Sequence, residues 1–280
     1  VARGRLLVVG TPIGNLEDLT PRAQRALAEA DAIFCEDTRV TGKLAVKLDL
    51  GAPRISCPAP REGSRVAELL SRLGAGETVA LVTDAGMPAL SDPGRQLVAA
   101  AAGAGHQVLV VPGPSAVSAA LALSGLPAAP HTFLGFLPAR SGERRRLLES
   151  LRGRPETLVW FEAPHRFLES LTDAADVLGT RPAVVARELT KLHEETVRGT
   201  LDELSTLFQA RGEPRGEITV VVAGNPSAAA EAADPASVDA AIREALGARA
   251  PKRAAAKEIA ARTGRPANEI YARMLELSRK

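Results

Sequence analysis

Short, near-continuous apolar runs alternate along the chain with longer stretches in which apolar residues return every three or four positions, the pattern of strands alternating with helices. Arg5–Gly10 (RLLVVG), Ala32–Cys35 (AIFC), Thr78–Thr83 (TVALVT) and Gln107–Val111 (QVLVV) read as strands covered on both faces. Thr20 and Pro21 form an N-cap and first-turn pair, and Leu19, Ala23, Ala26, Leu27 and Ala30 supply an apolar face at helical spacing. Further helices are predicted over Val66–Leu73 and Pro93–Ala104. This alternation implies a mainly parallel sheet.

Pro112–Ala116 (PGPSA) interrupts the rhythm and leads into an apolar helix over Val117–Ser124, so a domain boundary is placed there. The second half repeats the theme, with strands over Thr132–Phe136, Thr157–Phe161, Ala183–Ala186 and Ile218–Ala223 and helices over Arg144–Leu151 and Phe167–Leu178. From Asn225 to Pro235 the composition turns to Ala, Ser, Pro and Glu, as in a linker. Three helix-length pieces follow, Ser237–Leu246, Lys252–Thr263 and Pro266–Leu277. The expected class is α/β: two α/β domains, 1–113 and 114–226, and a small helical tail over 227–280.

Composition narrows the function. Hydrophobic residues make up 45% and charged residues 24% of the chain, which excludes a disordered or fibrous class. No apolar run approaches the ~20 residues of a membrane span. The first residues lack the basic-then-apolar pattern of a secretory leader, so a cytoplasmic protein is expected. Cys35 and Cys57 have no metal-ligand spacing, and neither a disulfide nor a metal site is expected. The net charge of +2 conceals basic clusters at Arg140–Arg154, including Arg140, Arg144 and Arg145, and in the tail at Lys252, Arg253, Lys257, Arg262, Arg265, Arg273, Arg279 and Lys280. Such clusters suit nucleic-acid phosphates, although solvated helix faces carry the same charges. Aromatic residues at 3% leave few stacking platforms for an extended single strand.

In an open parallel sheet ligands gather at the carboxyl ends of the strands. Four segments lie there: Gly10–Leu16 (GTPIGNL), Glu36–Arg39 (EDTR), Asp84–Gly94 (DAGMPALSDPG) and Pro112–Ala116. The first lacks both the glycine spacing of a dinucleotide fingerprint and the Lys of a phosphate loop. In the second, a carboxylate could take a proton or orient a hydroxyl, or simply pair with Arg39. The third carries more turn residues than a plain connection needs. The fourth opens a helix whose N–H groups could hold a carboxylate, and a rigid linker is the competing reading. A composite ligand pocket accounts for all four together. In the second half, EAPHR (Glu162–Arg166) and RELTK (Arg187–Lys191) also follow strands; His165 is read as a cap or surface residue before a base, and Arg187 and Lys191 as phosphate partners or solvated cations.

The order of these segments resembles a known family over nearly the whole chain. GTPIGNLEDLT, EDTRVTGKL, VTDAGMPALSDPG, VPGPSA, SGLP, GFLPAR, FEAPHR, RELTKLHEE and RGE stand in the register of the ribosomal RNA small-subunit methyltransferase I group of the tetrapyrrole methylases. The resemblance implies S-adenosyl-L-methionine in a cleft between two α/β domains, a homodimer, and methyl transfer to a cytidine ribose 2'-hydroxyl in small-subunit ribosomal RNA, naked or in the assembled subunit. Carried onto this chain, the cofactor would touch Thr11, Pro12, Asp84, Ala85, Gly86, Met87, Ser115, Ala116, Phe161 and Glu162. Glu36 and Asp37 become candidates to assist proton removal, with Arg39 and Lys191 holding phosphate or the carboxylates, and no metal is implied. Arg140, Arg144, Arg145, Lys252, Arg253 and Lys257 are the expected RNA contacts. Two departures stand out: Met87 where the family usually has Thr, and SCPAPREG (Ser56–Gly63) in place of a segment rich in His, Glu and Asn. A small-molecule, tetrapyrrole-like methylase and a non-catalytic ribosome-assembly protein remain the alternative readings.

Overall fold

The structure is a computed structural model that describes residues 4–225, 235–248, 250–263 and 265–278. Most of the linker-like Asn225–Pro235 segment lies outside the described residues, as do Arg279, Lys280 and the side chain of Arg262.

The first half folds into a five-stranded sheet of order β3-β2-β4-β1-β5, built from β1 (Arg5–Val9), β2 (Ala32–Cys35), β3 (Arg54–Ser56), β4 (Thr78–Val82) and β5 (Gln107–Val111). Every pairing in it is parallel. Alternate strand residues feed two cores. Leu7, Val9, Ile33, Ala80 and Val82 share one with Ala23 and Leu27 of α1 (Pro21–Ala28) and Ala45 of α2 (Thr38–Lys47). Leu6, Phe34, Val79 and Leu81 share the other with Leu69 and Leu73 of α3 (Glu62–Gly74) and Leu97 and Ala101 of α4 (Arg95–Gly103). The chain leaves β1 toward β2 on one side and leaves β4 toward β5 on the other, so the adjacent ends of β1 and β4 form the switch point at which such sheets bind ligands.

The second sheet has the order β6-β7-β10-β8-β9 and is mixed. It consists of β6 (His131–Phe136), β7 (Thr157–Glu162), β8 (Pro182–Arg187), β9 (Glu195–Thr200) and β10 (Ile218–Val222). β6 and β7 pair in parallel, whereas β10 runs antiparallel between β7 and β8 and all five of its residues are buried. Helices α6 (Ser141–Ser150), α7 (Pro164–Leu178) and α8 (Leu201–Arg211) cover one face, and α5 (Ala116–Ser124) packs on the other. Ile13, from the loop after β1, joins the core beneath α5 with Val159, Val184 and Val221. That insertion ties the first sheet's ligand edge to the second sheet.

Four elements escaped the hydrophobic pattern. Helix α2 carries Gly42 and two Thr, poor helix formers, and is fixed by Asp37, whose carboxylate accepts from the Arg39 N–H at 2.8 Å. Helix α8 begins with a capping box formed by Thr200 and Glu203. Strands β3 and β9 lie at sheet edges, where the apolar signal is thin. The tail forms three helices, α9 (Pro235–Gly247), α10 (Lys252–Thr263) and α11 (Ala267–Leu277), closed around Val238, Ile242, Ala256, Ile259, Ile270 and Met274. No helix among the described residues is long and apolar enough to cross a membrane.

Candidate active site

Two cavities open at the switch point and share Ile13, Asp84, Ala85 and Glu217 as a common wall. The first, of about 390 Å3, lies between Asp84–Met87 and Leu90–Asp92 on one side and Ser115–Val117, Phe136, Phe161–Pro164 and 216–219 on the other. The second, of about 410 Å3, is bounded by Thr11–Gly14, Leu16, Val40, Lys43, Leu44, Lys47, Val82–Ala85, Lys191 and Glu217.

Two close approaches fix this region. The Thr11 hydroxyl donates to the Thr83 carbonyl at 3.2 Å, locking the loop after β1 to the loop after β4. A Cβ placed on Gly10 would lie 2.7 Å from the Gly113 backbone and 2.6 Å from Met87 Sδ, so only glycine lets these three segments converge. Met87 thus fills the space over Gly10 while lining the first cavity.

The first cavity has an aromatic and aliphatic wall. Phe161 meets Phe133 and Phe136 edge to face, with ring centroids 5.0 and 5.7 Å apart, and Leu90 and Phe136 are exposed toward the opening. Two polar features are set into this wall. Glu162 is buried; its Oε1 takes Arg166 Nε at 2.6 Å and the Ala163 N–H at 2.9 Å, while its Oε2 is buried without a partner. Ser115 begins α5 without capping it through its side chain, which leaves first-turn N–H groups of that helix to other acceptors.

Carboxylates crowd the common wall. Burial, then the Glu36 and Asp84 charges, push Asp92 up to about 7, and Glu217 adds to the effect. Burial, then Asp84, also raises Glu36, and burial raises Asp84. Asp37 behaves oppositely: hydrogen bonds from Arg39 hold it down at about 2. The Asp37 backbone N–H donates to Asp84 Oδ1 at 3.1 Å, which fixes the two loops against each other.

The structure sorts the residues expected from sequence. Thr11 and Pro12 line the second cavity, Gly86, Met87, Ser115, Ala116, Phe161 and Glu162 the first, and Asp84 and Ala85 both. Lys191 lines the second cavity, bridging Glu188 at 2.8 Å and Glu217 at 3.3 Å. Glu36 stands behind Asp84, and Arg39 is 87% exposed and engaged with Asp37 at 2.6 Å, so neither lines a cavity. His165 is exposed on the first turn of α7, and Arg187 holds Glu195 and the Arg215 carbonyl.

One expected RNA contact is corrected. Arg144 is fully buried, with Asp173 at 2.6 Å, Glu169 at 3.1 Å and the Pro138 and Ala139 carbonyls as acceptors, so its guanidinium is a brace between α6 and α7 and does not face solvent. Arg145 is half-exposed and spans Asp173 and Asp176, each at 2.9 Å. Arg140, Arg253 and Lys257 are exposed, and Lys252 donates to Ser278 Oγ. Within the divergent Ser56–Gly63 segment, Glu62 is buried and accepts the Gln96 and Leu97 N–H groups, capping α4 from across the domain. Sequence reasoning did not single out Asp92, Lys43, Lys47 or Glu217: Asp92 lies within the Asp84–Gly94 loop, Lys43 within EDTRVTGKL and Glu217 within RGE, whereas Lys47 falls outside every segment named.

The doubled sheet with its cleft and glycine-rich strand ends defines a class. A family model described as Tetrapyrrole (Corrin/Porphyrin) Methylases matches residues 5–205, and the chain belongs to this family of methyltransferases, with S-adenosyl-L-methionine as cofactor. More particularly, it is 44% identical to the ribosomal RNA small subunit methyltransferase I of Mycobacterium tuberculosis over 100% of this chain and 98% of that one. It is 47% identical to the protein of the same name from Thermotoga maritima, over 79% of this chain and 99% of the relative. The fold also matches the uroporphyrin-III C-methyl transferase from Thermus thermophilus in complex with S-adenyl homocysteine, at a TM-score of 0.57 and 22% identity over 79% of this chain and 97% of that chain.

Proposed function

We propose that the protein methylates the ribose 2'-hydroxyl of a cytidine in small-subunit ribosomal RNA, acting in the cytoplasm as a homodimer of two-domain subunits, with the helical tail as an RNA-docking element. The observation that carries this reading is the pair of cavities sharing one wall: an aromatic, largely apolar cavity beside a second cavity rimmed by Lys43, Lys47 and Lys191. Similarity to ribosomal RNA small subunit methyltransferase I proteins along the full chain, tail included, supports the same substrate class.

The first cavity fits the cofactor. Phe161, Phe136 and Leu90 offer apolar surface for an adenosyl group, the N-terminus of α5 suits the amino-acid carboxylate, and Glu162 Oε2 is an acceptor in want of a donor. Bound there, S-adenosyl-L-methionine supplies an electrophilic methyl carbon. Positioning is the chain's own contribution: the paired loops after β1 and β4 meet where the two cavities adjoin, and Lys43, Lys47 and Lys191 hold an RNA backbone in the second cavity, beside the mouth of the first. Holding two reactants in line in this way can contribute about 7–11 kcal/mol to the barrier. Exposed Lys43 and Lys47 suit phosphates, while Leu16 and Val40 give the same cavity apolar surface for a base or ribose.

The test is transfer of labelled methyl groups to small ribosomal subunits from cells lacking this protein, followed by nuclease digestion. Label on a ribose 2'-oxygen of cytidine is the expected result. Cofactor binding with no label in RNA would replace this reading with a small-molecule methylase.

A further inference from the structure

Of the residues that line both cavities, two carry carboxylates, Asp84 and Glu217. An RNA hydroxyl that meets the methyl group must come to this common wall. The base of the same nucleotide is borne on the adjacent ribose carbon, so it lies against the wall as well, and the side chains there are placed to read it.

The two carboxylates are not equivalent. Asp84 is anchored, with its Oδ1 accepting the Asp37 N–H at 3.1 Å. Glu217 combines a fixed backbone with an open head. Its N–H donates to Glu188 Oε1 at 2.9 Å, its carbonyl accepts the Glu188 N–H at 2.9 Å, and the next residue, Ile218, is buried at the start of β10. Gly216, with φ at +88°, permits this pairing because a Cβ there would strike the Glu188 side chain. The Glu217 side chain is nevertheless 68% exposed. Lys191 Nζ approaches its Oε1 at 3.3 Å and stands closer to Glu188, at 2.8 Å, so one ammonium serves two carboxylates and Glu217 keeps capacity to accept. Gly14 fixes the lysine stem in turn, since a Cβ there would strike Lys191 Cγ.

An exposed carboxylate in a cavity rimmed by Lys43 and Lys47 works against a polyanion unless it meets a donor. We propose that Glu217 is the specificity-determining residue for cytidine, its carboxylate accepting a hydrogen bond from the cytosine 4-amino group and repelling the 4-oxygen of uracil. The assignment rests on the RNA reading above. Acidic side chains accept from this amine in nucleic-acid readout, and unstacked RNA bases are read on the same edge. Uracil presents a carbonyl at that position, so acceptor would face acceptor, and the wrong base is rejected by repulsion as well as by a missing bond. Lys191 is a positioning residue in this scheme: it steers the carboxylate, and an ammonium has a third N–H that remains for a phosphate.

The experiment uses small subunits reconstituted around ribosomal RNA that carries either cytidine or uridine at the target nucleotide. Full-length wild type and Glu217→Gln methylate each in single turnover at saturating S-adenosylmethionine. Wild type should favour cytidine by about 10-fold or more. Glu217→Gln should lose roughly 10-fold on cytidine, gain in absolute rate on uridine, and bring the two within about threefold, because an amide can accept from the amine or donate to the oxygen. The cofactor is common to both substrates, so a change in their ratio cannot arise from cofactor binding or from a general loss of structure. An unchanged cytidine preference in Glu217→Gln, an equal loss on both substrates, or a wild type indifferent to the base overturns the assignment while leaving RNA methylation intact. A wild type that labels neither subunit overturns both readings.

Discussion

Thr11 and Gly86 hold each other through reciprocal backbone hydrogen bonds, from the Thr11 N–H to the Gly86 carbonyl at 2.9 Å and from the Gly86 N–H to the Thr11 carbonyl at 3.1 Å. This bridge, outside any regular strand, welds the loop after β1 to the loop after β4 where the two cavities adjoin. Gly86 makes the bridge with φ at +79°, a conformation that a β-branched residue adopts only under strain.

Gly86→Val should therefore lower stability by about 1–3 kcal/mol and weaken S-adenosylmethionine binding more than tenfold. Gly86→Ala should show a smaller loss of both, because its Cβ meets Ile13 only at an ordinary 3.5 Å. Urea denaturation and titration calorimetry measure the two effects; wild-type cofactor affinity in the valine variant would show that the bridge does not shape the site.

Glu162 supplies a prediction of a different kind. Its Oε1 is occupied by Arg166 and Ala163, leaving the buried Oε2 for a ligand donor. Glu162→Gln replaces an acceptor carboxylate by an amide, and a lost charged hydrogen bond is worth about 1.5–3 kcal/mol. S-adenosylmethionine affinity should drop about 10- to 100-fold, with the larger loss if the amide NH2 takes the Oε2 position. Calorimetry would expose the opposite result, unaltered affinity, which would place the cofactor away from this wall.

The Arg144–Asp173 pair gives a stability prediction with a definite pH sense. Burial works to raise Asp173, but hydrogen bonds from Arg145, Ser141 and Arg144 outweigh it and hold the carboxyl below its ordinary value. A group depressed in the folded state stabilises the protein above its unfolded pKa, and that contribution is lost as pH falls through the folded value. Arg144→Met and Asp173→Asn should each cost about 3–5 kcal/mol at neutral pH, because each leaves a buried partner unmatched. The deficit of Asp173→Asn should shrink below the ordinary carboxylate range, a trend that urea melts at a series of pH values would show.

How much of this was legible in the chain differs from residue to residue. β1 and β4 announce themselves because both faces of the first sheet are covered there, so nearly every position is apolar; β5 reads the same way although it is an edge strand whose Val110 is exposed. β9 (ETVRGT) is an edge strand with one large apolar residue, and no period-two signal survives in it. The loops of the site were readable from their positions after strands, but the burial of Arg144 was not: RSGERRR looks like a solvated helix, and only the arrival of Asp173 on α7 turns one of its arginines inward. Asp92 stood in a named loop, yet nothing local distinguishes it from Asp84; its character comes from Glu36, Asp84 and Glu217, which three other segments bring to it.

Lys43 and Lys47 lie one helical turn apart on α2 and open onto the second cavity, with no part in the first. If the second cavity receives RNA, each ammonium that neutralises a phosphate contributes to counterion release, and its loss should flatten the dependence of RNA affinity on salt. Lys43→Ala and Lys47→Ala should each weaken binding to small subunits several-fold at low salt and reduce the slope of log affinity against log salt by about 0.7–0.9. S-adenosylmethionine binding should be untouched, since these lysines line the second cavity alone. Filter binding across a salt series, set beside cofactor calorimetry, separates the two cavities: a parallel loss of cofactor affinity would mean that they are one site, and an unchanged salt slope would move the RNA away from α2.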